Sequence, residues 1–255
     1  VYYENIELIK KVFTIMAKNK GKAILRPSSE FASSKPIIRI QDQNDWNANV
    51  YPSARNTFIG LVISESTMTQ WNTNGAPVAV DVNYNSNPLF DACTFSNNAS
   101  QYVFNIDQSS PEIRNSLIIN NTTQNGVFNL QGGGDDSTRP KTRVLRIVNS
   151  LIANNSYLSR NWGAERGAVI FNSIVYENGY DANFNEKFFR VVGSIVDNDK
   201  LARQSASNKL VEPQFNNPSN SDFSLSAFSP ALGMSESRYI IPGTPTNDTL
   251  NAITY

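Results

Sequence analysis

FDACTFSNN (Phe90–Asn98), IRNSLIINN (Ile113–Asn121), IVNSLIANN (Ile147–Asn155), IFNSIVYEN (Ile170–Asn178) and VVGSIVDND (Val191–Asp199) align without gaps. The fourth column reads Cys93, Ser116, Ser150, Ser173 and Ser194, small in every row. The sixth reads Phe95, Ile118, Ile152, Val175 and Val196, apolar in every row, and the last reads Asn98, Asn121, Asn155, Asn178 and Asp199. Successive copies start about 23, 34, 23 and 21 residues apart, the mark of a structural repeat. Each copy is a short aliphatic run closed by a polar pair, which reads as a strand followed by a turn. A period of ~22 residues is too short for a helix pair and fits one coil of a parallel β-helix.

In such a coil, equivalent residues stack at the interstrand spacing of about 4.8 Å. The small, aliphatic and amide columns then become internal stacks. Asn suits the closing column because it tolerates left-handed backbone and its amide can bond the same amide one coil away. Strict alternation fails at Leu117-Ile118, which places a bend near Asn115-Ser116 and leaves open which of the two columns faces the core. Tyr102–Ile106 and Gly126–Leu130 read as second strands between copies, and Phe58–Ser64 and Val78–Val82 as earlier, less regular coils. Residues 58–215 leave room for roughly seven coils, a rod of order 30 Å. Asn5–Asn19 places Ile6, Ile9, Phe13 and Met16 at helical spacing, so an N-terminal amphipathic helix ended by Gly21 is expected to cap the first coil. The expected organisation is a cap helix with first strands over 1–57, a β-helix with its closing segment over 58–238, and a tail or linker over 239–255.

Composition narrows the function. The 255 residues carry 22 Lys+Arg against 22 Asp+Glu, which argues against nucleic acid as a partner because no basic excess is present to displace counterions. His is absent, which removes the usual catalytic triads and His-based zinc sites. One Cys excludes an intrachain disulfide framework; Cys93 sits in the small column and reads as a packed thiol rather than a nucleophile. No apolar run reaches the roughly 20 residues of a membrane span, and no signal peptide is present. Opening at Val1 rather than Met is read as loss of a leader or upstream domains. About 34 positions are Asn, nearly twice ordinary usage, as an amide column requires.

The strand-plus-Asn repeat resembles that of secreted bacterial right-handed parallel β-helix proteins, the group of pectate lyases and chondroitinase B-like lyases. Leu210–Met234 (LVEPQFNNPSNSDFSLSAFSPALGM) resembles the phrase that closes such domains, through Pro213, Phe215, Asp222, Phe223, Leu225, Ser229, Pro230, Ala231 and Gly233. The helix, turn and KAIL strand (Lys22–Leu25) are similar to the family's opening. This resemblance implies an all-β, right-handed parallel β-helix at the cell surface or outside the cell. It also implies uronic-acid polysaccharide as the substrate class, with β-elimination assisted by Ca²⁺ or a cationic side chain and a Lys or Arg base.

Glycoside hydrolysis is rejected: Gly134-Asp135-Asp136 has the acids, but the accompanying motifs of the polygalacturonan hydrolases are missing. For a lyase, the weak catalytic candidates are Arg146 and Arg190, which share a column with Val169 between them, and Lys141. The long step between Ser116 and Ser150 holds an insertion, QGGGDDSTRPKT (Gln131–Thr142), and insertions in solenoids gather on a binding face. With the next turn, SYLSRNWGAER (Ser156–Arg166), it supplies the candidate carbohydrate contacts Trp162, Arg160, Arg166, Tyr157 and Arg139. Trp162 would stack on a pyranose while guanidinium groups take hydroxyls or carboxylates; packing over the flank is its alternative role. Asp135 and Asp136 are weak candidates for Ca²⁺, and no cofactor is required. The expected function is an extracellular polysaccharide-binding module, its glycan acidic and lyase activity open, that is attached to further domains. The alternative is a non-catalytic structural or adhesin β-helix of a larger surface protein.

Overall fold

The computed structural model describes residues 1–30, 34–41, 55–68, 77–84, 86–131, 144–159, 167–180, 186, 189–232 and 234. The fold is all-β and is dominated by three long parallel sheets, an arrangement compatible with a parallel β-helix. Sheet A holds Tyr2–Tyr3, Ala23–Arg26, Leu61–Ser64, Thr94–Ser96, Leu117–Ile119, Leu151–Ala153, Ile174–Tyr176, Ile195–Val196 and Lys209–Leu210, each bonded to the next. Sheet B holds Ile6–Ile9, Ile38–Gln41, Val78–Asn83, Tyr102–Asp107 and Gly126–Gln131. Sheet C holds Thr14–Met16, Thr57–Ile59, Leu89–Asp91, Glu112–Arg114, Leu145–Val148, Ala168–Phe171 and Phe189–Val192. From Tyr2 to Val148 the chain visits A, B and C in turn, so each circuit adds one strand to every sheet. After Gly126–Gln131, residues 157–159 take the place of a sheet B strand. Val127 N–H donates to the Tyr157 carbonyl at 2.9 Å and Phe128 N–H to the Leu158 carbonyl at 3.3 Å.

Corners between sheets use left-handed backbone. Gly60, Ala92, Asn115, Asn149, Asn172 and Gly193 take positive φ between C and A, and Glu65, Asn97, Asn120, Asn154 and Glu177 do so after sheet A. Asn supplies most of these positions because its short amide tolerates the conformation. The left-handed residue is therefore the one before the closing Asn column, while the closing Asn itself turns inward and is buried.

That inward Asn row is a ladder. Nδ2 of Asn98 donates to Oδ1 of Asn121 at 2.9 Å, Asn121 to Asn155 at 2.8 Å, and Asn155 to Asn178 at 2.8 Å. Each Oδ1 also accepts the preceding Asn backbone N–H, and each Nδ2 donates a second bond to a backbone carbonyl. The small column is a second ladder. The backbone N–H groups of Cys93, Ser116, Ser150 and Ser173 donate to the hydroxyls of Ser116, Ser150, Ser173 and Ser194 at 3.1–3.2 Å. Those hydroxyls donate in turn to the carbonyl two residues back.

Between the ladders the apolar columns fill the interior. Phe58, Phe90, Phe95, Phe104 and Phe128 occupy the middle coils, with Phe58 and Phe90 stacked at 4.9 Å and Phe95 tilted against Phe104 at 4.6 Å. Ile118 belongs to this core, whereas Leu117 and its column face out of sheet A. That outer face is covered by an antiparallel hairpin, Phe215–Asn217 with Asp222–Leu225, which packs Phe223 and Phe215 against Leu151, Ile174 and Ile195. The closing phrase thus works as a strap along one side: Ser224 caps Asp222, the Ser229 hydroxyl holds the Pro213 carbonyl, and Ala231 is buried.

The expected N-terminal cap helix is corrected. Asn5–Asn19 contains the strands Ile6–Ile9 and Thr14–Met16, and Ile6–Ile9 pairs Ile6 with Ile38 and Leu8 with Ile40. The residues of the expected helical stripe are mostly exposed, Met16 at 66%, while Leu8 is buried. β-branched Ile6, Ile9, Val12, Thr14 and Ile15 favour extended backbone, and bonding to the next coil outweighs the helical spacing of Ile6, Ile9, Phe13 and Met16. Gly21 instead makes a left-handed turn into Ala23–Arg26. A short helix does close the stack at the other end: Asp199–Ala202, N-capped by the Asn198 side chain, puts Leu201 into the core.

Replacing Asn155 with Ala removes a carboxamide that accepts from Asn121 and donates to Asn178 and to two carbonyls, all buried. A loss of about 2–4 kcal/mol in urea unfolding is expected. Asn154→Gly, at an exposed left-handed position one residue earlier, should change stability by less than about 1 kcal/mol. Equal losses in both would contradict the ladder's role.

Candidate functional site

With the outer face of sheet A under the strap, sheets B and C offer the other long faces. Four neighbouring strands of sheet B alternate apolar and polar residues. Apolar Ile38, Ile40, Val80, Val82, Phe104, Ile106, Phe128 and Leu130 enter the core. The residues between them form two outward columns. Arg39, Asp81, Asn105 and Asn129 are aligned in register, and so are Gln41, Asn83, Asp107 and Gln131. Pleating separates the two columns by about 7 Å, and successive coils by about 4.8 Å.

This grid is internally bonded. Asn105 Nδ2 donates to Asp81 Oδ1 at 2.8 Å and to Asn83 Oδ1 at 3.3 Å, and Asn129 Nδ2 donates to Asn105 Oδ1 at 2.8 Å. The Arg39 guanidinium lies 3.7 Å from the Asp81 carboxylate. Asp81, Asn83 and Asn105 are buried and hold the array in place. Arg39, Gln41, Asp107 and Asn129 are half-buried and Gln131 is exposed, so these side chains are the ones open to a ligand. Carboxamides and carboxylates at a fixed repeat can donate to and accept from the hydroxyls of a chain lying along the stack.

Sheet C carries charge instead. Arg55 pairs with Glu112 at 3.0 Å, Glu112 lies 3.8 Å from Arg114, and Arg114 pairs with Asp91 at 3.0 Å. Arg146 stands opposite Glu112 in register and is half-buried; Arg190 is exposed two strands further on, with Val169 between them. Two strand steps separate the Arg backbones by roughly 10 Å, too far for both to address one atom unless their side chains converge. Tyr157 is half-buried beside Gly126–Gln131. Arg139, Lys141, Arg160, Trp162 and Arg166 lie outside the described residues, as do Asp135 and Asp136. In the sequence, segments 132–143, 160–166 and 181–185 all precede a strand of sheet C. Among the described residues no group of three metal-ligating side chains occurs, and no helix is long and apolar enough to cross a membrane.

The sheet B grid was not found by aligning the five Asn-closed segments, because it lies in the strands between them. Its signal is the alternation in IIRIQ, VAVDVN, YVFNID and GVFNLQ, where the polar residues fall two apart in every row. Comparison of the chain with family models, with curated proteins and with solved structures finds no match.

Cys93 heads the serine ladder, with Sγ 3.4 Å from the Phe58 carbonyl. Burial, against opposing backbone hydrogen bonds, pushes its thiol up to about 11 from 9.0. The folded state therefore keeps a proton that the unfolded state releases. Cys93's contribution to stability is complete below pH 9 and is lost as pH rises toward 11, about 2–3 kcal/mol at most. Ellman's reagent should label Cys93 at least about 100-fold more slowly in the native protein than in urea, and unfolding midpoints should fall between pH 9 and 11. Fast native labelling at pH 8 would contradict this placement.

Proposed function

We propose that this chain is a right-handed parallel β-helix of the pectate lyase-like type that binds polysaccharide along its flank, outside the cell or on its surface. The observation that carries the reading is the sheet B grid: eight polar side chains in two registered columns over four coils, cross-bonded through Asp81, Asn105 and Asn129 and exposed at Gln131. A flat surface with hydrogen-bonding groups repeated along one direction suits an extended, repeating, hydroxyl-rich ligand. Its neighbours in the chain support this. In the sequence, the segments that contain Arg139, Arg160, Trp162 and Arg166 fall between strands of these sheets, and they supply the aromatic and cationic side chains that recognition of an acidic glycan calls for. Right-handedness follows the general preference of parallel crossovers.

A structural or adhesive spacer is the second reading, and the Arg55–Glu112–Arg114–Asp91 network favours it, since those charges satisfy one another. Lyase chemistry would fall to Arg146, Arg190 and Lys141, with Ca²⁺ at Asp135 and Asp136 as its aid.

Affinity electrophoresis and calorimetry against pectate, alginate, chondroitin sulfate and neutral plant glucans test the reading. Binding to at least one is expected, and Asn129→Ala with Gln131→Ala should weaken it by about 5- to 30-fold, the worth of one or two hydrogen bonds, with the melting temperature lowered only by loss of the Asn129–Asn105 bond. Binding to none, or binding indifferent to both substitutions, would leave the spacer reading in its place. Ultraviolet absorbance from unsaturated sugar ends, followed with and without Ca²⁺, reports β-elimination directly.

A further inference from the structure

We propose that the closing strap is a separable clasp: residues 213–232 lift off the outer face of sheet A as one unit while the stack beneath stays folded. The pattern of hydrogen bonds carries this. Within the strap, Phe215–Asn217 pairs with Asp222–Leu225. The Asn216 carboxamide donates to the Ser224 hydroxyl at 2.9 Å, and the Asp222 carboxylate accepts the Ser224 N–H at 3.0 Å. At its base, the Ser226 N–H donates to the Gln214 carbonyl and the Ser229 hydroxyl to the Pro213 carbonyl, while the Ala231 N–H donates to the Ser229 hydroxyl. The strap is thus bonded chiefly to itself.

Toward the stack it makes one hydrogen bond among the described residues, from Asn120 Nδ2 to Ser221 Oγ at 2.9 Å, and that bond is exposed. Among those residues no backbone group of the strap bonds to sheet A. Each covered strand, from Leu117–Ile119 to Ile195–Val196, is instead bonded to a coil on either side. The joint is apolar: Phe223 and Ala231 are buried with Leu151, Ala153, Ile174 and Ile195, and Phe215 meets Tyr176 edge-on at 6.3 Å. Apolar contact has no direction, so parting it strands no buried donor or acceptor, and Asn120 and Ser221 pass directly to water.

Two features mark the line of parting. Leu210, Val211 and Glu212, which lead from the last strand of sheet A into the strap, are all exposed and can turn without giving up buried contacts. A small crevice lined by Ile174, Ile195, Ala231 and Met234 opens on the seam, where packing is incomplete. Opening bares an apolar flank along four coils, at Leu117, Leu151, Ile174 and Ile195, whose strands remain bonded to one another. The clasp therefore governs access to sheet A, and it does not depend on glycan binding at sheet B.

Cys93 supplies an internal standard, because its thiol lies inside the stack and reacts only when coils come apart. Ala153→Cys places a second thiol beneath the strap, and Ala231→Cys places one on the strap's own side of the joint. Ellman's reagent is applied in urea below the unfolding transition, each rate being divided by its rate in the unfolded chain. Either new thiol should react at least about 30-fold faster than Cys93, and the two should agree within about threefold, as the lifting of one unit requires. In the unsubstituted protein, hydrogen exchange of residues 214–232 should share one opening equilibrium and run at least about 100-fold faster than that of Leu151–Ala153 and Ile174–Tyr176. Exchange of the strap no faster than that of sheet A, strap amides that open independently of one another, or new thiols that react no faster than Cys93 would each overturn the proposal.

Discussion

Each side chain in this fold lies one interstrand step from its own equivalent, and that spacing governs the whole structure. A buried polar group in such a stack finds its partner in the row above or below. The Asn98–Asn121–Asn155–Asn178 row meets this demand with carboxamides that both donate and accept, and the serine row meets it with hydroxyls that take a backbone N–H and return a bond to a carbonyl. The apolar columns obey the same spacing, which is why Phe58 lies flat on Phe90 and why Phe104 lies over Phe128. Residues are selected by column, and neighbours in sequence matter less than neighbours one coil away.

That selection is why so much was legible before any coordinates. The Asn and Ser columns named the strand, the turn and the stacked amides. The bend predicted near Asn115 is the left-handed residue between Glu112–Arg114 and Leu117–Ile119. The first coil was misread because Ile6, Ile9, Phe13 and Met16 fit a helical period, and the decisive partners, Ile38 and Ile40, lie 32 residues away. The sheet B grid escaped notice for another reason: its columns mix Arg, Asp, Asn and Gln, so only alternation marks them. The insertions carry no column at all, and Trp162, Arg160 and Asp135 belong to them, so alignment of the repeat assigns these residues no place.

The three long faces divide by chemistry. Sheet A is apolar on its outside and takes the hairpin strap, with Asn120 bonded to Ser221 across 101 positions of sequence. Sheet C is ionic, with acids and arginines paired across coils. Sheet B mixes carboxamides with Arg39, Asp81 and Asp107 and is cross-bonded. A stack with three sides can thus give one side to closure and still keep two others, whereas a two-layer sandwich spends both inner faces on its core.

The Asn ladder also has a direction. In each amide-to-amide bond the Nδ2 points to the next coil, and the row begins where Ser66 lends a backbone N–H to Asn98 and ends where Asn178 donates only to carbonyls. Interior rungs are interchangeable, because each receives from one side and gives to the other in the same way; the two terminal rungs are not. A gene that duplicated one internal coil would extend this protein without disturbing either neighbour, while loss of a terminal rung would strand an amide. Growth and shrinkage by whole coils, confined to the middle of the stack, are therefore the cheapest changes of length available to it.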